Sequence, residues 1–331
     1  MKTGLPNLVG KKLFLLLISF TLIVSSHSQS FLLGANSKTK WEVGLNFGPS
    51  FFLGDLGGNQ GKGTNSLKDL NLEFTKLMKG AFITMYPNNW LGIRVSANYT
   101  YLEGDDAVIN TNGIDEIWRK QRNLNFKTDV WELYGAFEVF PIQLLFNRGE
   151  IVHRLRPYGL AGIGLFHFNP KGSLTDAGGN TNWYKLQPLR TEGQGFKEYP
   201  NSKPYKLTDI NIPLGVGVKY FVSERINFSM ELLYRKTFTD YIDDVSTKYI
   251  DEKDFAKYMT ADNAALATQL SDKTIPIIFP GMTRWQSGTQ RGDSKDGDTY
   301  FSVLAKFGIR LGQINDEKHL RERQRKCPAY Y

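Results

Sequence analysis

Five groups of residues have types and spacing that could do chemistry. The first is Gly57-Gly-Asn-Gln-Gly-Lys62-Gly-Thr64. A glycine-rich run ending in lysine cradles phosphates when a further glycine opens it and a Ser or Thr follows the lysine. Here those two positions are Leu56 and Gly63, so the run reads as a flexible outer loop. The second is Asp293, Asp296 and Asp298 in RGDSKDGD. Calcium loops alternate acidic residues around a glycine. This spacing departs from that pattern and reads as a solvated turn, and the Arg291-Gly-Asp293 triplet adds nothing by itself. The third is Asp240, Asp243 and Asp244 in TDYIDDVS, where a cation or an arginine from a neighbouring strand could sit. The simpler reading is a capped turn whose Asp and Ser side chains bond their own backbone. The fourth is His167, flanked by Phe166 and Phe168. A hydrolytic His needs a nucleophile within hydrogen-bond reach, and the nearest serine in sequence is Ser173. His27, His153 and His319 fall in the leader and in turn or tail segments. The fifth is Cys327, the only cysteine. It allows no internal disulfide, so it is a free thiol or half of an intermolecular bridge. No catalytic residue, cofactor or metal ligand is assigned.

An extended framework positions these groups. In the stretch 91–101, Leu91, Ile93, Val95, Ala97, Tyr99 and Tyr101 share one face of a strand, and Gly92, Arg94, Ser96, Asn98 and Thr100 share the other. One apolar and one polar face suit a closed barrel with lipid outside. The same alternation predicts strands at 41–48, 77–86, 126–140, 157–168, 210–220, 226–235 and 301–311. The fifth of the eight, 157–168, is apolar on both faces, so its orientation is not fixed by the pattern. Glu132, Glu138, Glu231, Arg94, Arg235, Lys219, Lys306 and Arg310 fall on polar faces. An unpaired buried carboxylate is costly, and eight strands enclose room only for their own side chains. The interior is therefore expected to be a packed, ion-paired core and not a pore.

The connections alternate long, short, long, moderate, long, short, long. The longest spans 239–298, with a helix expected at 262–270. Outer-membrane barrels have short periplasmic turns and long outer loops, which puts both termini in the periplasm. Closure also removes sheet edges. A β-sandwich would not sort its loop lengths in this way. The expected fold class is all-β: an eight-stranded antiparallel transmembrane β-barrel with long extracellular loops and short periplasmic turns.

Composition agrees. Of 331 residues 41% are hydrophobic and the mean hydropathy is −0.35, which excludes a helical membrane protein. Twenty-two Phe, 16 Tyr and six Trp are available for interfacial girdles. Lys11 and Lys12, an apolar run over 13–24 and Ser26-His27-Ser28 read as a secretory signal over 1–28. The apolar run falls short of the ~20 residues a membrane-spanning helix needs. The expected division is signal 1–28, barrel 29–311 and periplasmic tail 312–331. The net charge is +8, and the signal's three lysines account for part of it. Apart from the tail the excess is diffuse, and an exported chain has no nucleic-acid partner.

Five stretches together resemble the PorG family of outer-membrane barrels from the Bacteroidota type IX secretion and gliding machinery. They are WEVGLNFGPSFFLGDLGG (41–58), RKQRNLNF (119–126), PYGLAGIGLFHFNPKG (157–172), WYKLQPLRTEGQG (183–195) and TDYIDDVSTKYID (239–251). The resemblance implies a non-enzymatic component without small-molecule substrate or cofactor. It would dock on a periplasmic ring built from a PorK-like lipoprotein and a PorN-like soluble protein. Lipid A-modifying barrel enzymes and small porin- or adhesin-like barrels are the alternatives. Under the family reading the tail is the candidate partner-binding segment. Lys318, Arg321, Arg323, Arg325 and Lys326 make it basic, which favours the thiolate of Cys327 in an oxidising periplasm. A mixed disulfide from Cys327 to the ring lipoprotein, with Tyr330 and Tyr331 packed alongside, is the expectation.

Overall fold

The computed structural model describes residues 39–56, 75–109, 114–145, 154–223 and 225–311. The signal segment, the run 57–64, and the tail with Arg323, Arg325, Lys326, Cys327, Tyr330 and Tyr331 lie outside the described residues.

Eight antiparallel strands close on themselves. They are β1 (Lys40–Leu53), β2 (Lys76–Tyr86), β3 (Leu91–Asp105), β4 (Asn125–Val139), β5 (Leu155–His167), β8 (Thr208–Phe221), β9 (Ile226–Thr237) and β10 (Thr299–Leu311). β1 pairs with both β2 and β10, and β3–β4 pairing completes the ring. A hairpin, β6 (Lys171–Thr175) and β7 (Thr181–Lys185), hangs from β4 through the pair Lys127–Lys171. Following Cα partners around the wall from Trp41 leads through Met85, Ile93, Phe137, Ala161, Leu214, Tyr234 and Phe301 back to β1 at Phe51, ten residues above the start. That stagger over eight strands, at ~3.3 Å rise per residue and ~4.8 Å between strands, tilts the strands by about 40°.

The period-two pattern sorts inside from outside. Leu45, Trp131, Ile163, Val216 and Met230 are each more than half exposed on the outer wall. Their neighbours Asn46, Glu132 and Glu231 are buried in the lumen. A belt of exposed Leu, Ile, Val, Phe and Met around a closed sheet is a lipid-facing surface. β5 acquires its orientation here: Tyr158, Leu160 and Phe166 point inward, while Leu155, Ile163 and Leu165 point out. Its inner residues are apolar because they plug the lumen's two ends. Tyr158 packs with Tyr86 and Phe140 at the turn end, and Phe166 joins Phe126, Phe168 and Tyr300 at the loop end.

The long connections are not the plain loops the sequence suggested. The 103–125 segment continues β3 to Asp105 and contains helix α1 (Ile114–Arg122). The 169–206 segment contains β6 and β7. The last connection contains α3 (Glu252–Tyr258) and α4 (Ala261–Ser271), matching the helix expected at 262–270 and adding one; α2 is the single turn Pro141–Leu145 at the opposite end. Leu186, Leu189 and Phe196 bury against Phe255, Ala264, Ala267 and Leu270. Two connections, β5–β8 and β9–β10, thus share a second core, and the loop end of the barrel carries a folded cap.

Candidate functional site

Two polar assemblies are candidates, one inside the barrel and one under the cap. The lumen holds three tiers of charge. At the turn end Lys219 Nζ lies 2.8 Å from Glu42 Oε1, and the Tyr86 hydroxyl bridges Glu42 and Glu138. In the middle Arg94 donates to Glu138 and, at 2.7 Å, to Glu231. Glu231 also accepts from Tyr158 at 2.6 Å and Lys306 at 3.2 Å. Toward the loop end Arg235 forks onto Glu132 through Nε and Nη2, each at 3.2 Å. Asn98, Asn211 and Tyr300 donate to the same carboxylate. Arg94, Arg235, Glu138 and Lys219 have no exposure. Of the eight charges expected inside, seven are in these tiers. Arg310 sits at the turn-end mouth, over the Phe221 ring at 4.0 Å and 3.9 Å from Glu42. Glu42 is the partner that the expected list lacked.

The assembly under the cap is built from residues far apart in sequence. Arg122, in the last turn of α1, clasps Asp106 through Nε (2.7 Å) and Nη2 (3.1 Å). It also donates to the carbonyls of Asp55 and Arg291. Arg291 in turn donates to Glu192 Oε1 at 2.9 Å and to the Asp244 carbonyl at 2.6 Å. Glu192 is held by Ser246 N, Thr247 N and Thr247 Oγ1. Gly193 and Gly195 follow it at φ 67° and 81°, a left-handed backbone that glycine adopts without penalty.

In the TDYIDDVS turn one aspartate caps its own backbone, and another meets an arginine that comes from the β9–β10 connection and not from a neighbouring strand. Asp243 Oδ1 caps Val245 N and its Oδ2 accepts from Leu56 N across to the β1 end. Asp244, at φ 66°, accepts from Thr191 and Tyr205 and faces Arg291. Asp298 corrects the sequence reading. It is fully buried and accepts from Ile242 N at 2.7 Å, so only Asp293 and Asp296 remain at the surface turn. Asp55, Asp240, Asp243 and Asp298 therefore converge at the barrel mouth. Among the described residues no group of His, Cys, Asp or Glu is placed to hold a metal ion.

Burial pushes the carboxyls of Asp55 and Asp244 up to about 6 and that of Asp240 up to about 9, and raises Asp243 and Asp298 well above the usual range. Arg122 and Arg291 only partly oppose this at Asp55 and Asp244. Folded values above the unfolded ~3.9 mean that protonation stabilises the cap. That contribution is complete below pH ~4 and is lost as pH rises through 6 and then 9. The cap is expected to resist urea, followed by Trp118 and Trp285 fluorescence, better at pH 5 than at pH 8.5. Asp240→Asn should flatten the upper part of that profile; an unchanged slope would remove Asp240 from the account.

His167 lies on the outer wall with Nδ1 2.9 Å from Thr208 Oγ1. Ser173 is buried and accepts from Asn125 Nδ2 at 2.8 Å. The structure pairs neither with the other. The cap residues that sequence patterns missed, Glu192, Arg122 and Arg291, carry no periodic signal. Glu192 and Arg122 do lie inside the TEGQG and RKQRNLNF stretches.

A family model described as outer membrane protein beta-barrel domain matches residues 14–257. Three solved structures are similar over most of the chain. Ail of Yersinia pestis, in complex with the heparin analogue sucrose octasulfate, has 9% identity and a TM-score of 0.34, covering 83% of this chain and 99% of that one. OprG of Pseudomonas aeruginosa has 10% identity and a TM-score of 0.35, with 83% and 97% covered. Outer membrane protein W of E. coli has 12% identity and a TM-score of 0.31, with 83% and 100% covered. No curated protein sequence matches the chain.

Proposed function

The chain belongs to the outer membrane protein β-barrel family, and on that premise we propose that it is a non-enzymatic assembly protein of the PorG type. In this reading it holds the periplasmic ring of the type IX secretion and gliding machinery against the outer membrane. The observation that carries the reading is the lumen. Charged and aromatic side chains fill it from Tyr86 to Tyr300, which argues against transport and leaves the two ends to act. The turn end is the docking face. Leu144 and Leu145 of α2 are 47% and 74% exposed there, close in sequence to Arg154 and Arg156. β10, the strand that precedes the tail in sequence, ends at the same face. The five PorG-like stretches add weight: four contribute Asp55, Arg122, Glu192 and Asp244 to one assembly, as a shared architecture would.

The ring partners are a PorK-like lipoprotein and a PorN-like periplasmic protein, and both termini are periplasmic. The folded cap favours one second reading, an adhesin-like barrel acting through its outer face. The tail separates the two. Deleting 312–331 should leave the barrel inserted but abolish secretion, and Cys327→Ser should remove a high-mass band seen on non-reducing gels of the native envelope. Secretion at wild-type level without the tail, and a wild-type chain that runs only as a monomer, would count against tail docking and the disulfide.

A further inference from the structure

The outer wall at the loop end carries an arrangement that neither the lumen nor the cap explains. Lys127 on β4, Lys171 on β6 and Lys185 on β7 stand in direct cross-strand register. Like charges directly opposite each other destabilise a sheet, and here three lysines align across three strands. Three carboxylates lie nearby on the outward face, and all are engaged. Glu103 stands directly opposite Lys127 and pairs with Lys76 at 2.8 Å, and Asp105 accepts from Ala107 N at 2.8 Å. Asp129 accepts from Tyr99 at 2.7 Å and from Lys171 at 3.2 Å. Lys127 Nζ sits 3.8 Å over the Trp183 ring, and Lys79 Nζ lies 5.4 Å over Tyr99. Neither Lys79 nor Lys185 pairs with a carboxylate among the described residues.

The patch is continuous with the lipid-facing belt. Lys79, Tyr99 and Trp131 form one cross-strand row on the outer wall, with Trp131, Leu133 and Leu77 more than half exposed. Lys127, Lys171 and Lys185 thus stand beyond the loop-end edge of the belt, where acyl chains end and headgroups begin, while Lys79 lies within the belt, on the Trp131 row, four residues of β4 nearer the turn end than Lys127.

We propose that the Lys127–Lys171–Lys185 row binds the sugar phosphates of an outer-leaflet glycolipid whose acyl chains lie along β2–β4. An anion bridging the row converts the cross-strand repulsion into charge-assisted hydrogen bonds. Trp183, Trp131 and Tyr99 provide interfacial rings for the sugar and upper acyl segments. The inference rests on the reading that the loop end faces outward.

The test is native mass spectrometry of the full-length protein in detergent with bisphosphorylated lipid A, dephosphorylated lipid A and phosphatidylglycerol. Wild type should retain the bisphosphorylated lipid at least roughly tenfold better than either comparator, the change expected for losing one charge-assisted contact. Lys127→Glu/Lys171→Glu/Lys185→Glu should erase the preference while keeping the gel mobility of the folded barrel. If that variant fails to fold, the single variants Lys171→Gln and Lys185→Gln must each lower retention. Equal retention of all three lipids, or retention indifferent to these lysines, overturns the proposal. A preference for phosphatidylglycerol would also overturn it and would point to an inward-facing loop end, which surface labelling of a tag at Gly179 checks independently of ring binding.

Discussion

Arg94→Ala is expected to destabilise the barrel by about 3–5 kcal/mol, the usual cost of leaving buried charges without their partner. Arg94 is fully buried and, among the described residues, is the one cation ion-paired with both Glu138 and Glu231. Without it Glu231 keeps Lys306 and Tyr158, and Glu138 keeps Tyr86 and a longer contact to Lys219 at 3.7 Å. Those remaining partners place the effect at the lower end of the range. Arg94→Lys should recover only part of it, because one ammonium cannot reproduce the guanidinium fork across two carboxylates. Urea unfolding of the refolded protein in detergent, with Glu138→Gln added to relieve one orphaned charge, is the check. Partial rescue by the second substitution is the expected outcome. A single variant as stable as wild type would mean that the lumen is hydrated enough to solvate both carboxylates, and the packed-core account would fail.

The second large effect is expected at Arg291→Ala, and it should be confined to the cap. Arg291 joins Glu192, the carbonyls of Asp244 and Ser271, and through its own carbonyl Arg122. It thereby ties the β5–β8, β9–β10 and β3–β4 connections at one point. Glu192 has no exposure, and its three hydrogen bonds from Ser246 and Thr247 do not supply a counter-charge. A loss of about 3 kcal/mol from the cap is expected. Protease cleavage within 239–298 should speed up while the barrel keeps its folded mobility on gels. Uniform loss of both cap and barrel would show that the two fold as one unit. No change would show that the cap is held by its apolar core of Phe196, Phe255 and Leu270 alone.

What could be read from the sequence followed from which residues obey a period. Arg94, Glu132, Glu138, Glu231 and Lys219 each alternate with outward apolar residues, so their inward placement followed from strand geometry alone. β5 hid its orientation because Tyr158, Leu160 and Phe166 are apolar inside a lumen that is otherwise polar; they serve the aromatic plugs. The cap was illegible for a different reason. Its stability comes from polar residues satisfied across great sequence distance, such as Arg122 with Asp55 and Arg291 with Glu192, and such pairs leave no local pattern. Asp298 shows how this misleads. It ends a polar run beside Asp296, yet the turn that brings Ile242 N onto its carboxylate buries it. The tail residues Arg323, Arg325, Lys326, Cys327, Tyr330 and Tyr331 remain assigned on charge and family resemblance.

The role proposed for this barrel is to hold a periplasmic ring, not to pass or modify a molecule. Affinity purification of the tagged full-length chain from envelopes of its native host, under mild detergent, tests that claim most directly. The account predicts that a ring-forming lipoprotein of the PorK type and its PorN-type soluble partner are recovered with the wild-type chain. It also predicts that they are lost from the chain ending at residue 311. Recovery of the barrel without either ring protein, from cells in which the ring is assembled, would contradict it.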